Sequence, residues 1–432
     1  MASTDIEKNI VIIGGGIIGC TTAYFMTRHP LYNPSKHRII LLEASKIAGG
    51  ASGKAGGLLG LWAYPSSLVP LSYKLHSELA VQHDGARRWG YRQIHCGQLS
   101  AKGRSPVTAN GKSSSKQVNG RDSSISLQKR DAAALGKLAA AGLPKDLSWV
   151  SPASAQSYYS MGDPNTTAQV HPYEFTTSMA SLAQEAGVEI VLGKVKSINQ
   201  FSTLKRPDPK DASSSVESVT YTDNTTGQST TIPATDVVLA AGPWTQRLWP
   251  SAPISGLRAH SVTIRPSTPI SAYALFTEID LPKDFGKTDT FQKRAGKHSK
   301  TVAPEVYARP NNEAYCCGEG DTLVPLPETS ADVQTDDARC QDIIDYVSSI
   351  SDELRDGEVL VRQACYLPSV QSRFVQGPLI GQTGVKGVVL AAGHTCWGIQ
   401  NGPGTGKLVS EIVFEGEAKS AKIKNLDPRQ IM

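Results

Sequence analysis

One stretch constrains this chain more than any other: KNIVIIGGGIIGCTTAYFM, residues 8–26. The apolar run Asn9 to Ile13 has the length and character of a central parallel strand. Gly14, Gly16 and Gly19 follow in GxGxxG order, and a helix is expected to begin near Ile17. The three glycines differ in what they permit. Gly14 allows the tight turn, Gly16 lets backbone approach a pyrophosphate, and Gly19 lets helix and strand pack closely. The first turn of the helix, with Ile17 and Ile18, offers N–H groups and partial positive charge to phosphates. GxGxxG alone is weak evidence. A second apolar strand, Arg38 to Glu43, strengthens it by ending in a carboxylate placed to accept ribose hydroxyls, followed by Ala44 and Ser45. The interval is slightly long, and the loop HPLYNPSKH with its two prolines accounts for that. Together the two halves predict an α/β fold with a Rossmann-like dinucleotide site.

The next stretch separates FAD from NAD. ASKIAGGASGKAGGLLG, residues 44–60, is a second glycine-rich loop directly after the ribose acid. NAD has no need of it, whereas a flavin has more surface for backbone to wrap. Ser52, Gly53, Lys54, Ala55, Gly56, Gly57 and Leu58 are therefore expected at the cofactor, and a mobile surface loop is the competing reading. A third glycine run, GPGTGK near the C-terminus, superficially suggests a nucleotide-triphosphate loop. The spacing excludes it: Asn401 stands where the first glycine belongs, and Leu408 stands where magnesium needs a hydroxyl.

Composition adds mainly exclusions. The 432 residues, 39% hydrophobic and 19% charged with net charge +5, suit a globular chain with two substantial cores. The mild positive charge has no nucleic-acid motif beside it. Seven cysteines without repeated spacing imply free thiols, with no metal site expected. The glycine- and threonine-containing run Ile10 to Met26 fits strand–turn–helix better than a membrane span. A cytoplasmic location is expected by elimination.

GGGIIG, LLEAS and GASGKAGGLL resemble the D-amino-acid oxidase family of FAD-dependent oxidoreductases, which includes glycine and sarcosine oxidases. The resemblance continues in order. QVHPYEF, residues 169–175, opens a helix before a strand that the resemblance brings near adenine, with Val195 beside the base. DVVLAAGPW, residues 236–244, is similar to the family strand that closes over FAD with Ala241, Gly242 and Trp244. The likeness is nearest to fungal members linked with endosome-to-Golgi transport, which adds an endosome-associated location as an expectation. It implies a discontinuous FAD-binding domain (1–88, 165–256 and 368–432) and a mixed-sheet substrate domain (89–164 and 257–367).

Between the motifs, His260–Arg265 and Tyr273–Thr277 read as strands, and 306–317 reads as a hairpin turning at Asn311-Asn312. Asp332 to Leu354 has the periodicity of a single amphipathic helix. Residues 101–126, 202–230 and 282–301 read as surface insertions. The last is basic, and a docking surface for a protein partner is the alternative to a solvated loop.

The resemblance implies oxidation of a C–N bond by hydride transfer to flavin N5, with an amine or amino acid as the small-molecule substrate. It matches Arg362, in the strand EVLVRQACYLP, to the carboxylate-binding arginine, with Arg309 and Arg258 as weaker candidates. Cys365 is similar to a cysteine that attaches FAD covalently, but the following LPSV departs from that pattern, so non-covalent FAD is expected. The turn Gly393-His394 through Trp397, Gly398, Ile399 and Gln400 would pass the flavin ring, and a helix from about Pro403 would point its N-terminus there. Gln400 falls where oxidases carry an oxygen-activating lysine. His394 is read as a flavin or substrate contact, with a structural histidine the alternative. A flavoprotein acting mainly as a trafficking or interaction factor is the second functional reading.

Overall fold

The computed structural model describes residues 7–105, 139–201, 214–283, 285, 301–373, 375 and 377–432. Most of the expected insertion 101–126, residues 202–213 and nearly all of the basic stretch 282–301 lie outside the described residues.

Two eight-stranded sheets organise the chain. In the first, the spatial order is Ser229–Pro233, Ser215–Asp223, Glu189–Phe201, His37–Glu43, Lys8–Ile13, Asp236–Leu239, Val388–Ala392 and Leu379–Gln382. The central strands from Glu189–Phe201 to Val388–Ala392 run parallel. Ile10 to Ile13 and Ile39 to Leu42 are buried on both faces, as near-continuous apolar runs in a parallel sheet require. Helix Ile17–Met26 begins where the glycine motif predicts.

The second sheet runs Glu358–Val370, Ile254–Arg265, Glu313–Asp321, Glu305–Arg309, Tyr273–Asp280, His95–Lys102 and Ala155–Gly162, with the short strand Thr301–Val302 paired to Tyr273–Asp280. The hairpin turns at Asn311 and Asn312, both in the left-handed region at φ +62° and +53°. Register fixes which side chains share a face, because partners across neighbouring strands point the same way and alternate residues point oppositely. One face carries Val262, Leu275, Val306 and Cys316 and packs on helix Asp337–Ser348 through Cys340, Ile343 and Val347. The other carries Phe276, Glu305, Tyr307, Tyr315, Cys317 and Gln363.

Three expectations need correction. The described part of the expected insertion 202–230 belongs to the first sheet, where Ser215–Asp223 pairs with Glu189–Phe201 and buries Val216, Val219 and Tyr221. The single helix over Asp332 to Leu354 is two, Asp337–Ser348 and Asp352–Arg355. The serines divide it: the Ser349 hydroxyl donates to Tyr346 O (2.6 Å), and Ser351 accepts from Leu354 N–H as the second helix's cap. The C-terminal helix starts at Gly398, not near Pro403, and runs to Glu415 with Pro403 inside it. Proline has no N–H for the carbonyl four residues back, Ile399 O. His76 Nε2 fills that gap at 2.9 Å.

The same helix accounts for GPGTGK. A Cβ at Gly402 would stand 2.6 Å from Ile17 Cγ1, one at Gly404 2.2 Å from Ser72 Oγ, and one at Gly406 2.5 Å from the Thr21 backbone. These glycines let the helix press against Ile17–Met26 and Val69–Gln82. Among the described residues no helix is long and apolar enough to cross a membrane.

Candidate active site

A cavity of about 410 Å³ runs along the C-terminal ends of the parallel strands, past the start of helix Ile17–Met26 to the start of helix Gly398–Glu415. Gly14 turns the chain at φ +114°, and a Cβ there would meet Ala240 O at 2.4 Å. A Cβ at Gly19 would lie 1.9 Å from Gly14 O. At Gly16 it would point at Ser52 Oγ, 3.0 Å away. That hydroxyl already accepts the Ile17 N–H at 2.9 Å, which ties the second glycine-rich loop to the first. The Glu43 carboxylate accepts Gly15 N–H (2.7 Å) and Ser45 N–H (2.9 Å). These bonds fix its orientation at the cavity wall.

Of the residues expected at the cofactor, Gly14, Gly16, Ile17, Ile18, Glu43, Ala44, Ser52, Ala55, Val195, Ala241, Gly242, Trp244, Gly393, His394, Gly398 and Ile399 line this cavity. Gly19, Ser45, Gly53, Lys54, Gly56, Gly57, Leu58 and Gln400 are not part of the lining. Gly57, at φ +88°, would put a Cβ 2.0 Å from Val170 O, and Gly56 lets the Tyr307 ring approach to 2.1 Å of where a Cβ would be. Lys54 extends to the covering sheet, where its Nζ donates to Ala364 O (2.8 Å), and burial lowers its pKa.

The wall near Glu43 has a part that sequence reasoning missed: Glu328, Thr329 and Ser330 close over it. Ser330 Oγ lies 2.5 Å from Ser45 Oγ, and Trp244 Nε1 donates to Pro327 O (2.7 Å). Arg247 and Lys194 both pair with Glu328. LVPLPETS offers no periodicity or motif that would signal this contact.

At the other end the wall is Leu367, Pro368, Thr395, Cys396 and the start of the C-terminal helix. His394 is 3% exposed, its Nε2 2.9 Å from Thr405 Oγ1, and burial pushes its pKa down to about 3, so the ring is neutral. Gln400 is fully buried, and its Oε1 accepts Gly60 N–H at 2.8 Å. Trp397 turns toward Trp62 and Tyr64. Cys365 lies buried on the face toward Lys54, with its thiol pushed up to about 11 by desolvation.

Arg362 lies elsewhere, and the expectation of a substrate contact there is corrected. It is the register partner of Val262 and so shares the face toward helix Asp337–Ser348. Its guanidinium donates to Asp337 O (3.2 Å) and Gln341 Oε1 (2.6 Å). Arg258 is buried against Asp321 (3.1 Å). Arg309 has the right face, but its guanidinium holds Ala55 O, Gly56 O and Glu313. None of the three presents a free guanidinium to the cavity.

Comparison with known proteins settles the family. The family model for FAD-dependent oxidoreductases, abbreviated DAO, matches residues 9–412. The chain belongs to the DAO family of FAD-dependent oxidoreductases. It is 36% identical to TDA3 of Saccharomyces cerevisiae, whose name provisionally classes it as an oxidoreductase, over 98% of this chain and 94% of that protein. A Schizosaccharomyces pombe protein with the same provisional class is also 36% identical, covering 98% of each. Glycine oxidase from Geobacillus kaustophilus superposes with a TM-score of 0.64 at 17% identity, covering 97% of this chain and 98% of that one. L-proline dehydrogenase from P. horikoshii gives 0.64 at 14% identity, over 99% and 98%.

The DAO cofactor suits what the cavity offers. A pyrophosphate needs close backbone and a helix N-terminus, which the Gly14–Gly16 turn and the first turn of helix Ile17–Met26 supply. Ribose needs an oriented carboxylate, supplied by Glu43. The long apolar remainder of the lining suits a large planar ring.

Proposed function

We propose that this DAO-family protein oxidises the C–N bond of a small amine or amino acid. The observation that carries the reading is the placement of the aromatic face of the second sheet beside the end of the cavity formed by Leu367, Pro368 and Cys396. A substrate held there would lie between the sheet and the cofactor. The names of the solved relatives, a glycine oxidase and an L-proline dehydrogenase, agree with an amino-compound substrate.

FAD, when bound, would supply a two-electron acceptor for the hydride on the carbon bonded to nitrogen, and the resulting C=N bond would be hydrolysed by water to carbonyl and amine. The chain's part is binding and orientation. Gly14, Gly16 and the first turn of helix Ile17–Met26 would hold pyrophosphate, Glu43 ribose, and Val195 with Trp244 the adenine end. The turn from Gly393 to Ile399 would face the ring. Neutral His394, fixed by Thr405, would present a dipole rather than a charge. The Tyr307, Phe276 and Trp62 rings would exclude water from the reacting carbon.

The test is anaerobic addition of a panel of amines and amino acids to the FAD-loaded protein. At least one should bleach the flavin. An intact flavin that no amine bleaches would instead support the trafficking or interaction-factor reading.

A further inference from the structure

On the sheet face beside the cavity, the Glu305 carboxylate stands among aromatic rings. Register sets Glu305 directly between Phe276 and Cys317 on the neighbouring strands. The Tyr307 hydroxyl and the Cys317 thiol (3.6 Å) both donate to its Oε2. Among the described residues Oε1 receives no hydrogen bond, and no Lys, Arg or His pairs with the group. A partly buried carboxylate without a cation is costly and calls for one. Desolvation raises its pKa accordingly.

Rings surround this acid. Phe276 lies 6.1 Å from Tyr307 and 6.2 Å from Trp62, centroid to centroid. Trp62 lies 5.6 Å from Trp397, which in turn lies 5.8 Å from Tyr64. Trp397 follows Cys396, which lines the cofactor cavity and whose thiol feels the Glu305 charge. The box therefore adjoins the reacting end of the site. An anionic group entering it meets repulsion and no free guanidinium. A cation meets aromatic rings and a carboxylate, both attractive and both desolvated.

We propose that this box binds a cationic nitrogen of the substrate, so that the substrate is an amine carrying a second positive nitrogen, and not an α-amino acid held by its carboxylate. The inference rests on the C–N oxidation reading and names its substrate class.

Two measurements on the FAD-loaded protein test it separately from that reading. Calorimetric titration compares choline with its uncharged isostere 3,3-dimethyl-1-butanol. Choline should bind about ten-fold tighter or better, the size expected of a desolvated cation–π site with a carboxylate. Glu305→Gln should erase that ratio with FAD content unchanged, and Phe276→Leu should weaken choline but not the isostere. Equal binding by the wild type, or an unchanged ratio in Glu305→Gln, would overturn the proposal. Should Glu305→Gln lose FAD, Phe276→Leu alone decides. Anaerobic bleaching by spermidine, butylamine and 4-aminobutyrate then separates the two claims. Spermidine should act at least about ten-fold more efficiently than the others. Comparable efficiencies sink the box and leave C–N oxidation standing. Choline discrimination with no bleaching by any amine sinks C–N oxidation and leaves the box.

Discussion

Gly14 shows how a single position can decide whether a cofactor site exists. With φ at +114° and Ala240 O only 2.4 Å from a would-be Cβ, Gly14→Ala must shift the turn that meets the pyrophosphate. The variant should purify with little flavin and lose about 1–3 kcal/mol in urea unfolding, as strained and overpacked sites do. A normal flavin-to-protein absorbance ratio would contradict this. His394 makes a pH prediction. Its pKa falls from 6.5 to about 3 on folding, so its stabilisation is complete above pH 6.5 and is lost as pH drops toward about 3. Urea unfolding across that range should show a slope that His394→Gln lowers by up to about 1.4 kcal/mol per pH unit. The glycine motif was legible because its demands are local, set within a few residues. The side on which Arg362 points is less legible, although the sequence carries part of the signal. Arg362 and Cys365 are three apart in one strand, and an odd separation puts them on opposite faces of a regular sheet. Both could not be at the flavin.

The C-terminal helix shows where element-scale reading stops. Spacing alone removed GPGTGK from the phosphate-loop class. What its glycines do requires knowing the partners, Ile17–Met26 and Val69–Gln82, which lie far away in sequence. The position of Pro403 inside the helix was likewise hidden, because the donor that satisfies Ile399 O is His76, more than three hundred residues earlier. His76→Leu should leave that buried carbonyl unpaired and cost about 1–3 kcal/mol. Because Ile399 lines the cavity, FAD affinity should fall with it. Gly406→Ala should destabilise by a similar amount through collision with the Thr21 backbone. Urea midpoints measure both, and wild-type midpoints would refute the close-packing account. The division of Asp332 to Leu354 has a different cause. Periodicity continues across Ser349 and Ser351, but their hydroxyls compete for backbone bonds and end one helix while starting the next.

At the scale of the molecule, the parallel sheet and its cofactor edge could be read from apolar runs and glycines. The covering sheet's strands could be read singly. Their register, which places Glu305, Phe276 and Tyr307 together beside the cavity, arises only when strands separated along the chain pair. The Glu328–Ser330 segment over the Glu43 end of the cavity belongs to the same class of hidden contact. Its replacement by a glycine–serine linker of equal length should weaken FAD binding, read as faster loss of flavin on dilution, while the covering sheet stays folded. The central claim is that this cofactor cavity and the face beside it oxidise a C–N bond. The most direct measurement is an anaerobic single turnover of the FAD-loaded protein with the amine that bleaches it best. The account predicts one carbonyl product for each flavin reduced. A flavin that stays oxidised with every amine and is reduced by NADH instead would contradict it.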